Sequence, residues 1–317
     1  FTDRSLIRYL VQSINPHVYQ NGQVPTLWDP ASGTGGFLIE YIHQLNELGE
    51  NINWSLNKNN IFANDINKNT YTLLKQNLYY AFKESSGISI KLLHSLCNDD
   101  DLKSVLLGDN GALNSMRKGS LVVDHTTCSA KVTRELGKYA DKNGVGFVDA
   151  PVSGGQAGAD SGQLTIMCGG TEENYSKVKP IISQYSKFSS LMGPSGSGQL
   201  TKMVNQICIA GLLQALAEGL HFSKKANLDG KKVIEVISKG AAGSWQMDNR
   251  GISMLEDKFN FGFAVDWMKK DLNICLDEAN FNEAKLPITA LVNQFYSEVR
   301  DMGGGRFDTS SLIKRLR

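Results

Sequence analysis

Five cysteines, at 97, 128, 168, 208 and 275, are scattered along the chain, odd in number and without a Cys-x-x-Cys pair. That excludes a disulfide frame and a cysteine zinc site, and leaves buried thiols in a reducing compartment, so a cytoplasmic protein is expected. An excess of either charge is also missing. Lys and Arg number 33 against 32 Asp and Glu, a net charge of +1. This excludes a protein that coats nucleic acid or sits on an anionic membrane through a polybasic surface, though a local patch could still touch DNA. No stretch reads as long and apolar enough to span a membrane, and no signal peptide is visible. The chain begins with Phe1 rather than Met, as expected of one trimmed or cut from something longer.

What is present is ordinary globular material. The 317 residues are enough for two domains. Hydrophobic content of 41% and charged content of 21% fit a soluble domain. A helical pattern opens the chain, with Leu6, Ile7, Leu10, Val11 and Ile14 on one face, and Asn15-Pro16 stops it. A short strand at 25–28 then runs into Asp29-Pro30-Ala31-Ser32-Gly33-Thr34-Gly35-Gly36, and helical periodicity resumes at Phe37. Strand, glycine turn and helix together let an anionic or polar ligand approach the backbone. A second strand, 61–65, ends in Asp65, where a carboxylate can accept ribose hydroxyls in a nucleotide-binding βαβ unit. The turn is not Gly-x-Gly-x-x-Gly, because Leu38 holds the third glycine position, so the dinucleotide fingerprint is incomplete.

Phe1-Thr2-Asp3-Arg4, Asp29 to Leu38 and Asn64-Asp65-Ile66-Asn67 together resemble the N6-adenine DNA methyltransferases of the type I modification-subunit kind, over residues 1–95. The resemblance implies S-adenosylmethionine held by Phe1 and Thr2, by Asp29 and Gly33 to Gly35 around its amino-acid part, and by Asp65 at its ribose. It departs from the family at Asp3, where Pro is usual. The family's Asn-Pro-Pro-Phe/Tyr, which holds and stacks a flipped adenine, is absent. The sole Asn-Pro is Asn15-Pro16, followed by His17. Methyl transfer to adenine is therefore not expected, and DNA is a partner only if this front segment works.

Further along, Val-Asp-His-Thr-Thr (123–127), Asp-Ala-Pro-Val-Ser-Gly-Gly (149–155), Gly-Gln-Leu-Thr-Ile-Met-Cys-Gly-Gly (162–170), Gly-Ser-Gly-Gln-Leu-Thr-Lys-Met-Val-Asn (196–205), Gly-Ala-Ala-Gly-Ser-Trp (240–245) and Lys-Asp-Leu (270–272) follow in one run. Together they resemble the β-hydroxyacid dehydrogenases, the 3-hydroxyisobutyrate dehydrogenase group, over residues 97–317. The family's own front, with its complete glycine fingerprint, is missing. The resemblance implies NAD or NADP as cofactor, a small hydroxy acid as substrate, and a homo-oligomer formed through the α domain. Lys202 and Asn205 would be catalytic, although the next residue is Gln206 where many relatives have Asn. Ser153, Gly154 and Gly155 would bind the substrate carboxylate, Thr126, Thr127 and Lys270 would lie by the cofactor, and Trp245 would line the substrate side. The residues alone also allow a solvated Lys270 paired with Asp271, a core Trp245, and a Lys202 that snorkels from the helix start. His125 reads as a loop histidine without a catalytic role.

The expected fold is α/β: an open, mostly parallel Rossmann-like sheet followed by an all-α C-terminal domain on a long interdomain helix. The expected divisions are 1–96, 97–194 and 195–317. Three functions remain open on sequence: an NAD(P)-dependent oxidoreductase, a remnant of an S-adenosylmethionine-binding methyltransferase, and a composite that turns nothing over.

Overall fold

The computed structural model describes residues 27–29, 61–65, 93–94, 98–108, 111–116 and 118–317. The chain divides into two compact units, Phe1–Gly198 and Gln199–Arg317.

In the first unit, β1 (Leu27–Asp29), β2 (Ile61–Asp65) and β3 (Leu93–His94) form a parallel three-stranded sheet in that order. Phe1, Thr2, Gly33 and Gly35 lie outside the described residues, as does the helix expected at the start of the chain. Of Asp29 and Asp65 the structure describes the strand backbone. Helix α1 (Asp99–Leu107) starts where Asn98 accepts the Asp101 N–H at 2.9 Å. Three aspartates in its first turn suit the positive end of the helix dipole. A short α2 (Ala112–Ser115) precedes β4 (Leu121–Asp124). Ser129 caps α3 (Ala130–Lys142), and β5 (Gly146–Asp149) follows. Strands β4 and β5 pair in parallel, in register from Leu121↔Gly146 to Asp124↔Asp149. Their carboxyl ends therefore coincide, and loops 125–129 and 150–151 leave from one edge.

Strand β6 (Val152–Ser153), helix α4 (Gly155–Asp160), strand β7 (Leu164–Gly169), helix α5 (Glu172–Ile182) and strand β8 (Ser186–Gly193) complete the unit. Strand β7 runs antiparallel to β5 and β6 and parallel to β8. Sequence shows no sign of that reversal, because a two-residue strand such as β6 has no periodicity to read. Among the described residues β3 and β4 do not pair, so the two sheets are separate where one open sheet was expected to be able to close. Leu102, Leu106, Val132, Leu136 and Phe147 form one apolar cluster, and Val148, Ile166, Val178 and Ile182 another.

Helix α6 (Ser197–Lys225) leaves the first unit and supplies most of its length to the second. Contrary to the sequence expectation, it is long and apolar enough to cross a membrane by length and composition, with a mean hydropathy of 1.3 over its most apolar 18 residues. The reason lies in its packing: Ala210, Leu213, Leu216, Ala217 and Leu220 are in the core of the second unit. There they meet α7 (Gly230–Ile237), α8 (Trp245–Leu255), α9 (Val265–Asn282) and α10 (Pro287–Asp301) through Ile234, Met254, Met268, Leu272 and Val292. Ser244 caps helix α8 by accepting the Met247 N–H at 3.1 Å. A 3₁₀ segment, Thr309–Leu316, closes the chain. Buried Asp308 anchors it, accepting from Ser310 and from the Phe263 N–H and pairing with Arg250 at 3.2 Å.

Candidate active site

In the first unit the site residues gather at the carboxyl ends of β4 and β5. Asp124 and Asp149 are both fully buried and directly opposite one another. Asp124 Oδ1 accepts the Thr126 N–H at 2.9 Å, whereas its Oδ2 has no hydrogen-bond partner among the described residues. Burial pushes the Asp124 carboxyl up to about 6, against the Thr126 hydrogen bonds, and the neighbouring Asp149 adds to the rise. Asp149 Oδ1 accepts the Gly196 N–H at 2.8 Å, and a Cβ on Gly169 or Gly198 would overlap its carboxylate. Asp149 thus ties strand β5 to the start of α6, a role its place in the sequence does not reveal.

His125 bonds through Nδ1 to the Ala150 carbonyl at 2.6 Å and through Nε2 to the Tyr185 hydroxyl at 3.0 Å. Burial lowers its pKa, so it is a neutral brace between two loops. Thr126 and Thr127 follow it, each half-buried. Ser153 ends β6, half-buried, opposite Thr165. Gly154 and Gly155 both have positive φ, +131° and +60°, which only glycine adopts without strain. A Cβ at Gly155 would meet nothing within 4 Å, so its backbone is open to a ligand. At Gly154 a Cβ would come within 3.3 Å of Leu164 Cδ2. Gly154→Ala is expected to cost about 1–3 kcal/mol in backbone strain and to raise KM for a carboxylate substrate. Chemical unfolding and steady-state kinetics check both. An unchanged KM would remove this loop from the site.

In the second unit Lys202 is 7% exposed on α6 and, among the described residues, makes no ion pair. It does not snorkel to water. Burial lowers its pKa, with Lys270 acting in the same sense, while Asp271 and Cys275 oppose the fall. Gln206, one helical turn on, is buried on the same stripe. Its Nε2 donates to Asp271 Oδ2 at 2.5 Å, and its Oε1 accepts Asn205 Nδ2 at 2.8 Å. Residue 206 therefore shares the face of Lys202, as a spacing of four requires, and Asn205 stands to its side. Lys270 Nζ lies 2.7 Å from Asp271 Oδ1. Trp245 is not a core residue: it is 55% exposed, with the Arg250 guanidinium 4.9 Å from its ring centre.

The family follows from comparison with known proteins. Residues 196–316 match the profile described as NAD-binding of NADP-dependent 3-hydroxyisobutyrate dehydrogenase. Residues 57–210 match the NAD binding domain of 6-phosphogluconate dehydrogenase. A 2-hydroxy-3-oxopropionate reductase of Escherichia coli (strain K12) is 35% identical over 215 residues, covering 68% of this chain and 74% of the relative. The chain belongs to the β-hydroxyacid dehydrogenase family. It is an NAD(P)-dependent oxidoreductase of the 3-hydroxyisobutyrate dehydrogenase type.

An uncharacterized oxidoreductase of Shewanella frigidimarina is 61% identical to this dehydrogenase over 219 residues, 69% of this chain and 75% of that one. A solved 3-hydroxyisobutyrate dehydrogenase from Salmonella typhimurium shares its fold, with a TM-score of 0.65 at 24% identity, over 80% of this chain and 90% of that chain. The dehydrogenase match reaches back to residue 57, well before the expected start near 97. Residues 1–107 also match the profile described as N-6 DNA Methylase, so the two matches overlap in the front segment.

Proposed function

We propose that this dehydrogenase interconverts a small 3-hydroxy acid with the matching aldehyde or ketone, and that Lys202 is its general acid–base group. The observation that carries this is a buried lysine, with no ion pair among the described residues, whose proton is loosened by burial. Such a lysine gives up its proton more readily than an exposed one, as an acid–base group requires. In oxidation the neutral amine of Lys202 takes the hydroxyl proton. In reduction the ammonium returns it to the carbonyl oxygen.

Ser153, Gly154 and Gly155 hold the substrate carboxylate in this reading, with backbone left open by the two glycines. Asn205 and Gln206 orient the reacting oxygen, and Trp245 covers the substrate side. Thr126, Thr127 and Lys270 stand by the nicotinamide, whose chemistry when bound is to take or return the hydride. Two half-buried threonines suit that group, with the Thr126 N–H held by Asp124 and His125 bonded to the Ala150 carbonyl beside them. Asp29, Gly33, Gly35 and Asp65 belong to the nucleotide end.

A second reading of that end is favoured by the match of residues 1–107 to the N-6 DNA Methylase profile. It gives the front segment to S-adenosylmethionine, and brings in DNA only if the segment is active. Thermal shift and calorimetry with NAD, NADP and S-adenosylmethionine side by side separate the two. A ligand that binds the folded state alone stabilises it by about 2.7 kcal/mol at a hundred times Kd. One of the two nicotinamides is expected to raise the Tm. A rise with S-adenosylmethionine alone would overturn the cofactor assignment, and no rise with any of them would leave the composite inactive.

A homo-oligomer formed through the second unit accords with the apolar side chains exposed there, among them Val204, Phe222, Phe281 and Ile288. Cysteine thiols at 128, 168, 208 and 275, in no disulfide among the described residues, accord with a reducing compartment such as the cytoplasm.

A further inference from the structure

Asp271 looks like an ordinary helix carboxylate in sequence, and its neighbour Lys270 is an obvious partner. Its surroundings are not ordinary. The carboxylate is 2% exposed on α9 and faces the stripe of α6 that carries Lys202. Gln206 Nε2 holds Oδ2 at 2.5 Å and also lies 3.9 Å from Met268 Sδ. The orientation of that amide is set by its partners. Asp271 can only accept and Asn205 Nδ2 can only donate, so a flipped Gln206 would break both bonds. On the other side Lys270 Nζ forms an ion pair with Oδ1 at 2.7 Å, and among the described residues Oδ1 has no hydrogen-bond partner. The helices meet again one turn further on, where Cys275 Sγ donates to the Met203 carbonyl at 3.7 Å.

A carboxylate this deeply buried is costly unless a charge nearby offsets its desolvation. Lys270 supplies one positive charge. Lys202 supplies a second within Coulombic range. Gln199, Asn205 and Gln206, the polar neighbours of Lys202 on its own helix, are neutral. From α9 the titratable groups facing it are Asp271, Lys270 and Cys275. Burial pushes the Cys275 thiol up to about 12, so it is uncharged at working pH. Asp271 is therefore the anion that faces Lys202 from α9.

We infer that Asp271 is a positioning residue of the reaction: clamped by Gln206 and Lys270, it acts through Lys202 as the counter-charge that holds the catalytic ammonium in place and sets the pH at which it releases its proton. The inference rests on Lys202 being the acid–base group. The two opposing influences then have separate sources. Burial by the α6 core draws the proton off, and Asp271 restrains it.

The sign of the effect is definite. Asp271 favours the charged form of Lys202, so Asp271→Asn, which keeps the shape and the contact to Gln206, lets the proton go at lower pH. The acid limb of kcat/KM for alcohol oxidation, where Lys202 must be neutral, moves to lower pH. The basic limb of carbonyl reduction, where it must be charged, moves to lower pH as well. Asp271→Glu keeps the charge and returns both limbs toward their wild-type positions. Gln206→Leu removes a hydrogen bond but no charge, and changes kcat with a much smaller movement of the limbs.

The experiment is the pH profile of kcat/KM in both directions for wild type, Asp271→Asn, Asp271→Glu and Gln206→Leu, together with a ¹³C NMR titration of the Lys202 Cε signal, assigned by its loss in Lys202→Met. The NMR arm needs no turnover, and it also reports on any variant that folds but is inactive. Limbs and Cε titration that stay in place in Asp271→Asn would overturn the inference. If that substitution prevents folding, Asp271→Ser, smaller and also uncharged, decides by the same titration: a midpoint moved to lower pH supports the counter-charge, and one that stays in place overturns it. The failure of the broader reading is distinguishable, because Lys202→Met would then retain turnover whatever happens at Asp271.

Discussion

Lys202→Met is expected to lower kcat/KM on the order of 10²- to 10⁴-fold, the usual contribution of a positioned acid–base group, while the protein stays folded. Methionine keeps most of the volume of the buried side chain and removes the charge, so packing against the α6 core is conserved. The loss falls on both directions of the reaction, since one group takes the proton in oxidation and returns it in reduction. Stability moves the other way. Because burial lowers the pKa of Lys202 in the folded state, the unfolded chain binds more protons between the folded and unfolded values. Wild-type stability then rises with pH through that window and is lowest below it. The methionine variant lacks this slope and is at least as stable as wild type at neutral pH. Kinetics in both directions and urea unfolding at several pH values check it. Wild-type turnover in the variant would remove Lys202 from the chemistry, and a large loss of stability would reassign it to structure.

Asp124→Asn is expected to stabilise the protein at neutral pH. The folded-state pKa of Asp124 is raised to about 6 from an ordinary 3.8, first by burial. The folded chain therefore binds the extra proton between those values, and stability falls as pH rises from near 4 through about 6. A difference of about two units is worth about 3 kcal/mol at the upper limit. Asparagine keeps an oxygen for the Thr126 N–H and puts an amide donor where Oδ2 now has no partner, facing the strand that carries Asp149. A gain of about 1–3 kcal/mol at pH 7 follows, with the gain vanishing toward pH 4. Unfolding free energies at pH 4.5 and 7 decide it. The same pH slope in both proteins would mean that Asp124 is not the group responsible. A buried carboxylate that costs stability at the end of β4 is of use where a braced loop is needed, and loop 125–127 is the loop proposed above to stand by the cofactor.

The two acidic residues show why sequence takes the argument only part of the way. Asp124 and Asp149 each stand at the end of an apolar run, which marks both as strand ends. Their facing positions depend on β4 pairing with β5 in one particular register, and a shift of one residue would turn both side chains to the other face. Gln206 is a similar case. The spacing of four from Lys202 puts it on the lysine's face of any helix, so its place was available from helical periodicity alone. Its partner Asp271 lies 65 positions away, and nothing local connects them.

By itself the sequence determined the elements whose cause is local. Glycine turns, capping residues such as Ser129 and Thr171, and the apolar period of α6 set strand and helix positions over most of residues 98–317. The ordered motifs were enough to indicate the dehydrogenase family over the same stretch. Tertiary structure decided what those residues meet. It put Lys202 in a buried stripe instead of at the surface, turned Trp245 outward, made His125 a brace, and set Asp271 against Gln206 on the lysine's face. Local periodicity specifies which face a side chain occupies. Burial, and with it the proton affinity on which the proposed chemistry depends, is set by what a distant part of the chain places over that face.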